Sequence, residues 1–131
     1  MVERIAFRGK TAQEAQLIKP EDYIKLVKSR QRRSMKRNFD RYKALVHKVD
    51  EIKKRGGAIK PIRTHIREAV ILPSWVGISF MVHNGKEFQQ IDITAGMLGH
   101  RLGEFAFTTK RVQHSAPGIR ATKGSKFLAV K

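Results

Sequence analysis

Two apolar-alternating runs joined by Asn84-Gly85 constrain this chain more tightly than any other stretch. The first reads Ile78-Ser79-Phe80-Met81-Val82-His83 and the second runs from Lys86 to Ile93. Alternation at a period of two is what a strand with one buried face requires. Asn-Gly tolerates the positive φ that a two-residue type I′ turn needs at both central positions. The spacing therefore predicts a β-hairpin with Asn84 and Gly85 at its tip, pairing Val82 with Glu87, Phe80 with Gln89 and Ile78 with Ile91. One face gathers Ile78, Phe80, Val82, Ile91 and Ile93 and belongs to a core. The other sets Met81 opposite Phe88, among Ser79, His83, Lys86 and Gln90, a mixed surface suited to a partner that is not purely apolar.

Helical signals lie before the hairpin. Thr11 and Glu14 have capping-box spacing, in a weakly patterned segment that reads as mobile or ordered by a partner. Pro20-Glu21-Asp22 has the form of a helix start, with proline in the first turn and acids at the positive end of the dipole. From Phe39 to Lys54, Tyr42, Leu45, Val46, Val49 and Ile52 fall on one helical stripe, stopped by Gly56-Gly57. Val70-Ile71-Leu72 reads as a strand ended by Pro73, and Trp75 and Val76 read as core cover. Residues 94–105 read as a helix with Thr94 as N-cap and Leu98, Leu102 and Phe105 as its buried stripe. Gly96, Gly99 and Gly103 each weaken such a helix by about 1 kcal/mol relative to Ala. Gly99 and Gly103 share a face, so another backbone, of this chain or of a bound RNA, can approach there.

Charge narrows the function. The 131 residues suit one domain and carry 28 Lys and Arg against 11 Asp and Glu, a net +17. Such an excess points to a polyanion, either nucleic acid or an anionic membrane surface. No apolar run approaches the roughly 18–20 residues of a membrane span. The start Met1-Val2-Glu3-Arg4-Ile5 lacks a signal-peptide core, so a cytoplasmic location is expected. Without cysteine there is no disulfide, thiolate zinc ligand or thiol nucleophile. The distribution says more than the total. Residues 1–60 are net +11, residues 61–105 are neutral, and residues 106–131 are net +6 with no acid. From Lys28 through Lys43 there are eight basic residues and one acid, Asp40. Solvated helix faces normally mix signs, and like charges at i,i+4 repel, whereas a phosphate surface removes that penalty. From Ala106 onward Gly, Pro, Ser, Thr and basic residues cannot build a core and read as a tail that orders along a polyanion.

Catalytic signals are weak. His100 and Glu104 stand at i,i+4, a spacing compatible with a metal or acid–base work, but no third ligand and no His-Glu-x-x-His pattern accompanies them. His83 has neither an acid nor a nucleophile placed with it. There is no P-loop, no Rossmann fingerprint and no Gly-x-Ser-x-Gly elbow. The residues point to no enzyme, no cofactor and no metal.

A specific pattern runs through residues 61–114. Arg63-x-x-x-Arg67 precedes Ile71-Leu72-Pro73, Val76-Gly77 and Val82-His83-Asn84-Gly85-Lys86. Met97-x-Gly99-His100-x-Leu102-Gly103-Glu104-Phe105-Ala106-x-Thr108 follows. This series resembles the universal ribosomal protein family of the small-subunit head numbered nineteen in bacteria and fifteen in eukaryotes. The long basic N-terminal part and Gly118-Ile119-Arg120-Ala121-Thr122 are similar to its archaeal and eukaryotic branch, and the Phe7-Arg8-Gly9-Lys10 opening to the archaeal version. The resemblance implies an α+β fold with a small three-stranded sheet and packed helices. It also implies binding to small-subunit ribosomal RNA in the head, beside the ribosomal protein numbered thirteen, with the C-terminal tail reaching toward transfer RNA and the decoding region.

The expected organisation is a basic extension over residues 1–38, a single domain over 39–114 and a basic tail over 115–131. Candidate RNA contacts are Arg30, Arg32, Arg33, Lys36, Arg37, Arg63, Arg67, His83, Lys86, His100, Arg101, Lys110 and Arg111. Forked guanidinium groups at Arg63 and Arg67 suit phosphate clamping. Two other classes share part of the signal: a DNA-binding architectural protein, which lacks an evident groove-reading helix or wedge, and an RNA-processing enzyme using His83, His100 and Glu104.

Overall fold

The structure is a computed structural model that describes residues 7–56 and 60–110. Four helices come first: α1 (Ala12–Gln16), α2 (Pro20–Leu26), α3 (Ser29–Arg37) and α4 (Phe39–Arg55). A three-stranded sheet follows, with β1 (Ile62–Thr64), β2 (Ser79–His83) and β3 (Phe88–Asp92) in spatial order β1-β2-β3. β1 runs parallel to β2 and β3 antiparallel to it. This is the α+β arrangement with a small three-stranded sheet that the family resemblance implies.

The helices form where their signals place them. Thr11 and Glu14 close a reciprocal capping box on α1. Pro20 begins α2 with Glu21 and Asp22 in its first turn. α4 buries Tyr42, Leu45 and Val49, and Gly56 ends it at φ 60°, a left-handed conformation that costs other residues more. Short as it is, α1 does not stand off the body. Ala15, with Tyr23 and Val27 around α2, joins one continuous cluster with Val49, Ile71, Trp75, Phe80 and Leu102.

β2 and β3 pair antiparallel, but in another register than the Asn-Gly rule predicts. Phe80 pairs with Ile91, Val82 with Gln89 and His83 with Phe88. The amide of Asn84 donates to the Glu87 carbonyl at 3.0 Å, so Gly85 and Lys86, not Asn84 and Gly85, occupy the tip. Asn84 explains the shift. Its side-chain oxygen accepts from the amides of Lys86 at 2.9 Å and Glu87 at 2.8 Å, which places Asn84 at the turn entrance as a buried acceptor. Only Gly85 takes positive φ there, at 101°, as a turn with glycine first demands. A two-residue slip preserves side-chain parity. Ile78, Phe80, Val82, Ile91 and Ile93 accordingly all stay in the core.

Two further elements differ from expectation. The third strand is Ile62–Thr64; Val70-Ile71-Leu72 is not a sheet strand, and Pro73 opens a 3-10 turn through Trp75 instead of ending an edge. Residues 94–105 are not a helix but two 3-10 turns, Ala95–Met97 and Leu102–Glu104, separated at Gly99 by φ 81°. These two irregular segments satisfy each other. Ile71 N–H donates to His100 O at 2.9 Å, Leu102 N–H to Ala69 O at 3.0 Å and Gly103 N–H to Arg67 O at 2.8 Å. Backbone groups buried here must find partners, and this ladder supplies them without regular structure. Trp75 is buried against Phe80, ring centroids 5.1 Å apart.

Candidate nucleic-acid interface

Helix α3 reads Ser-Arg-Gln-Arg-Arg-Ser-Met-Lys-Arg and buries no residue. No acid lies between Asp22 and Asp40, so the helix has no counter-charge of its own. Arg30, Arg33, Lys36 and Arg37 are the cations it offers, and Ser29, Arg32, Arg33, Lys36 and Arg37 line an open groove of about 300 Å³. Arg32 differs from its neighbours. Its guanidinium donates to the carbonyls of Ile24 at 3.1 Å, Lys25 at 2.9 Å and Val27 at 3.2 Å, closing the C-terminal end of α2 and fixing the angle between α2 and α3. The remaining cations of α3 thus stand on a braced element.

Arg63 and Arg67 do not form the matched clamp that their spacing suggests. Arg63 sits on the outer face of β1, exposed, with its guanidinium 5.7 Å over the Phe88 ring. Arg67 points inward and donates to three carbonyls, of His83 at 2.7 Å, Gly103 at 2.9 Å and Ala106 at 2.6 Å. Its fork knits the end of β2 to the last 3-10 turn. Gly103 makes this possible. A methyl built there would fall 2.9 Å from Arg67 Cβ and 3.0 Å from Arg67 O. The backbone that approaches Gly103 is therefore this chain's own.

The other candidates spread over the same body. His83 ends β2, and its Nδ1 accepts from the Gly85 amide at 3.0 Å, which puts the ring proton of the neutral form on Nε2. Lys86 is exposed at the hairpin tip, and Lys110 lies 3.1 Å from Glu87 across that hairpin. Arg101 bridges Val70 through its backbone, leaving its side chain half-exposed. His100 Nδ1 meets the Glu104 carboxylate at 2.5 Å on exposed surface. Among the described residues no group of three or more His, Cys, Asp or Glu is placed to hold a metal. Arg111 and the tail lie outside the described residues.

Tyr23 buttresses this surface from within. Its hydroxyl donates to Ile71 O at 2.5 Å and accepts from the Gly99 amide at 2.8 Å. Burial pushes its pKa up to about 12, against the smaller opposing effect of the Gly99 N–H.

One side chain that the sequence reading passed over, His65, joins His83 and Phe88 on the outer sheet face. The rings of His65, His83 and Phe88 lie within 4.5–5.1 Å of one another. The alternation Ile62, Thr64 inward and Arg63, His65 outward carries the signal for His65, but only once β1 is known to be a strand.

A small, cation-faced α+β protein braced by inward-turned arginines is the class these features define. Residues 33–114 match the family model described as Ribosomal protein S19. The chain is 46% identical over 126 residues to the small ribosomal subunit protein uS19 of Saccharolobus solfataricus, covering 95% of this chain and 90% of that protein. It is 41% identical over 129 residues to the protein of the same name from Metallosphaera sedula, covering 98% and 92%. The chain belongs to the ribosomal protein S19 family, in its archaeal-type version, and is a structural ribosomal protein, not an enzyme.

Proposed function

We propose that the protein is a constituent of the cytoplasmic small ribosomal subunit and binds its ribosomal RNA in the head, with α3 as a principal phosphate contact. The observation that carries this reading is α3 itself. A helix with no buried side chain and no acid is a poor design for water alone and a good one for a phosphate backbone. Arg30, Arg33, Lys36 and Arg37 act directly, and Arg32 holds them in place. Arg63, His83, Lys86, His100, Arg101, Lys110 and Arg111 extend the contact over the body and toward the tail. The family resemblance further supports a position beside the ribosomal protein numbered thirteen, near the decoding region, with the tail reaching transfer RNA.

Filter binding of the full chain to a transcript of the small-subunit head domain tests this, with duplex DNA of equal phosphate count as competitor at fixed salt. The RNA is expected to win by a wide margin. Equal competition by DNA would favour the architectural reading.

A further inference from the structure

We propose that His65 is a stacking platform for an unpaired nucleobase of the bound RNA, an inference that rests on the RNA-binding reading above. β1 ends at Thr64, whose hydroxyl accepts from the Ile66 amide at 3.1 Å and turns the chain sharply. That turn leaves His65 over the tip end of β2 and β3. One face of its ring lies on His83, centroids 4.5 Å apart and planes tilted by 36°. Phe88 meets it edge-on at 5.1 Å, with planes at 70°. His83 is in turn held by Phe88 at 4.9 Å and by the Gly85 amide. The outermost ring is thus backed by two half-buried ones while its own residue is exposed. A preorganised ring on an exposed residue loses little entropy when a base stacks on it, and stacking tolerates any base.

The surrounding charge selects a nucleic acid over a protein as occupant. Arg63 stands beside the platform and Lys86 at the adjoining tip. Glu87, the acid of that tip, is paired with Lys110. Asp92 is bound by Ser79 at the far end of β3, four residues and so about 13 Å from Phe88, beyond a Debye length at physiological salt. A nucleotide brings a base for the ring and a phosphate for Arg63 at once.

The test compares His65→Ala and His65→Phe in the full chain, binding a transcript of the small-subunit head domain across a salt series. His65 is exposed, and thermal melts of both variants serve to check that the fold is intact. Stacking predicts that His65→Ala binds roughly 5- to 150-fold more weakly with an unchanged salt slope, and that His65→Phe binds like the parent. If both variants weaken binding alike, the imidazole donates a hydrogen bond to the RNA and the stacking proposal fails. If neither does, His65 has no RNA contact and the proposal fails too. In both cases parental binding to the transcript leaves the broader reading standing, whereas parental failure to bind it would remove that reading itself.

Discussion

Helix α3 and the paired segments around Arg67 and Gly103 both depend on arginine, and they use it in opposite senses. On α3, Arg30, Arg33 and Arg37 stand on a helix with nothing buried. In the body, Arg67 turns its fork inward onto three carbonyls. The first arrangement contributes little to folding and leaves its charge on the surface. The second replaces regular hydrogen bonding where the left-handed Gly99 interrupts any helix. Arg32 stands at the seam, basic by neighbourhood and structural by contact. The lesson is that a basic residue's role follows from which carbonyls lie within its reach, not from the charge density around it.

The largest loss of stability is expected at Arg67. Arg67→Ala strands the carbonyls of His83, Gly103 and Ala106, and is expected to lower stability in urea by roughly 2–4 kcal/mol. Arg67→Lys should recover little, because an ammonium cannot match the fork. Gly103→Ala forces a methyl against the Arg67 backbone and should cost about 1–3 kcal/mol in the same assay. A stabilising result would show that the segment relaxes into the helix its sequence resembles.

Tyr23→Phe removes a donor to Ile71 O and an acceptor for Gly99 N–H, with an expected loss of about 1–2 kcal/mol. Its dependence on pH has a definite sign. The folded pKa is raised from 10.0 to about 12, so the stability held by the neutral hydroxyl changes as pH rises through that interval. Above pH 10 the unfolded chain ionises first, which favours unfolding, and the hydroxyl's contribution is lost as pH climbs toward 12. The difference between parent and Tyr23→Phe in denaturant should shrink across that window. A constant difference would place the hydroxyl in water.

The smallest effect on folding is expected on α3. Changing Arg30, Arg33, Lys36 and Arg37 together to Gln should shift stability by no more than about 0.5 kcal/mol. Adding Arg32→Gln should bring a further drop, since α2 then loses its closing donor.

How much of this was legible in the sequence depended on whether a signal was local. Helix α4, its stripe and its glycine stop were readable because period and cap both lie within the segment. The inward face of the hairpin was readable for the same reason, and a register slip of two left it intact. The slip itself was not, because the Asn84 side chain, not its φ, sets the turn. Residues 94–105 misled through Leu98 and Leu102, which carry a helical spacing yet are buried from two separate turns. The α3 charge run could be read directly. The inward roles of Arg32 and Arg67 and the ring cluster at His65 could not, since each depends on neighbours beyond its own element or on a strand too short to announce itself.

The role of α3 is tested most directly by the salt dependence of RNA binding by the full chain with Arg30, Arg33, Lys36 and Arg37 changed to Gln. Removing one phosphate-neutralising cation should reduce the slope of log K against log salt by about 0.7, so removing all four lowers it by about three, with an unchanged melt. A slope equal to the parent's, or a collapsed melt with binding preserved, would contradict the claim that α3 faces phosphate while the inward arginines hold the fold.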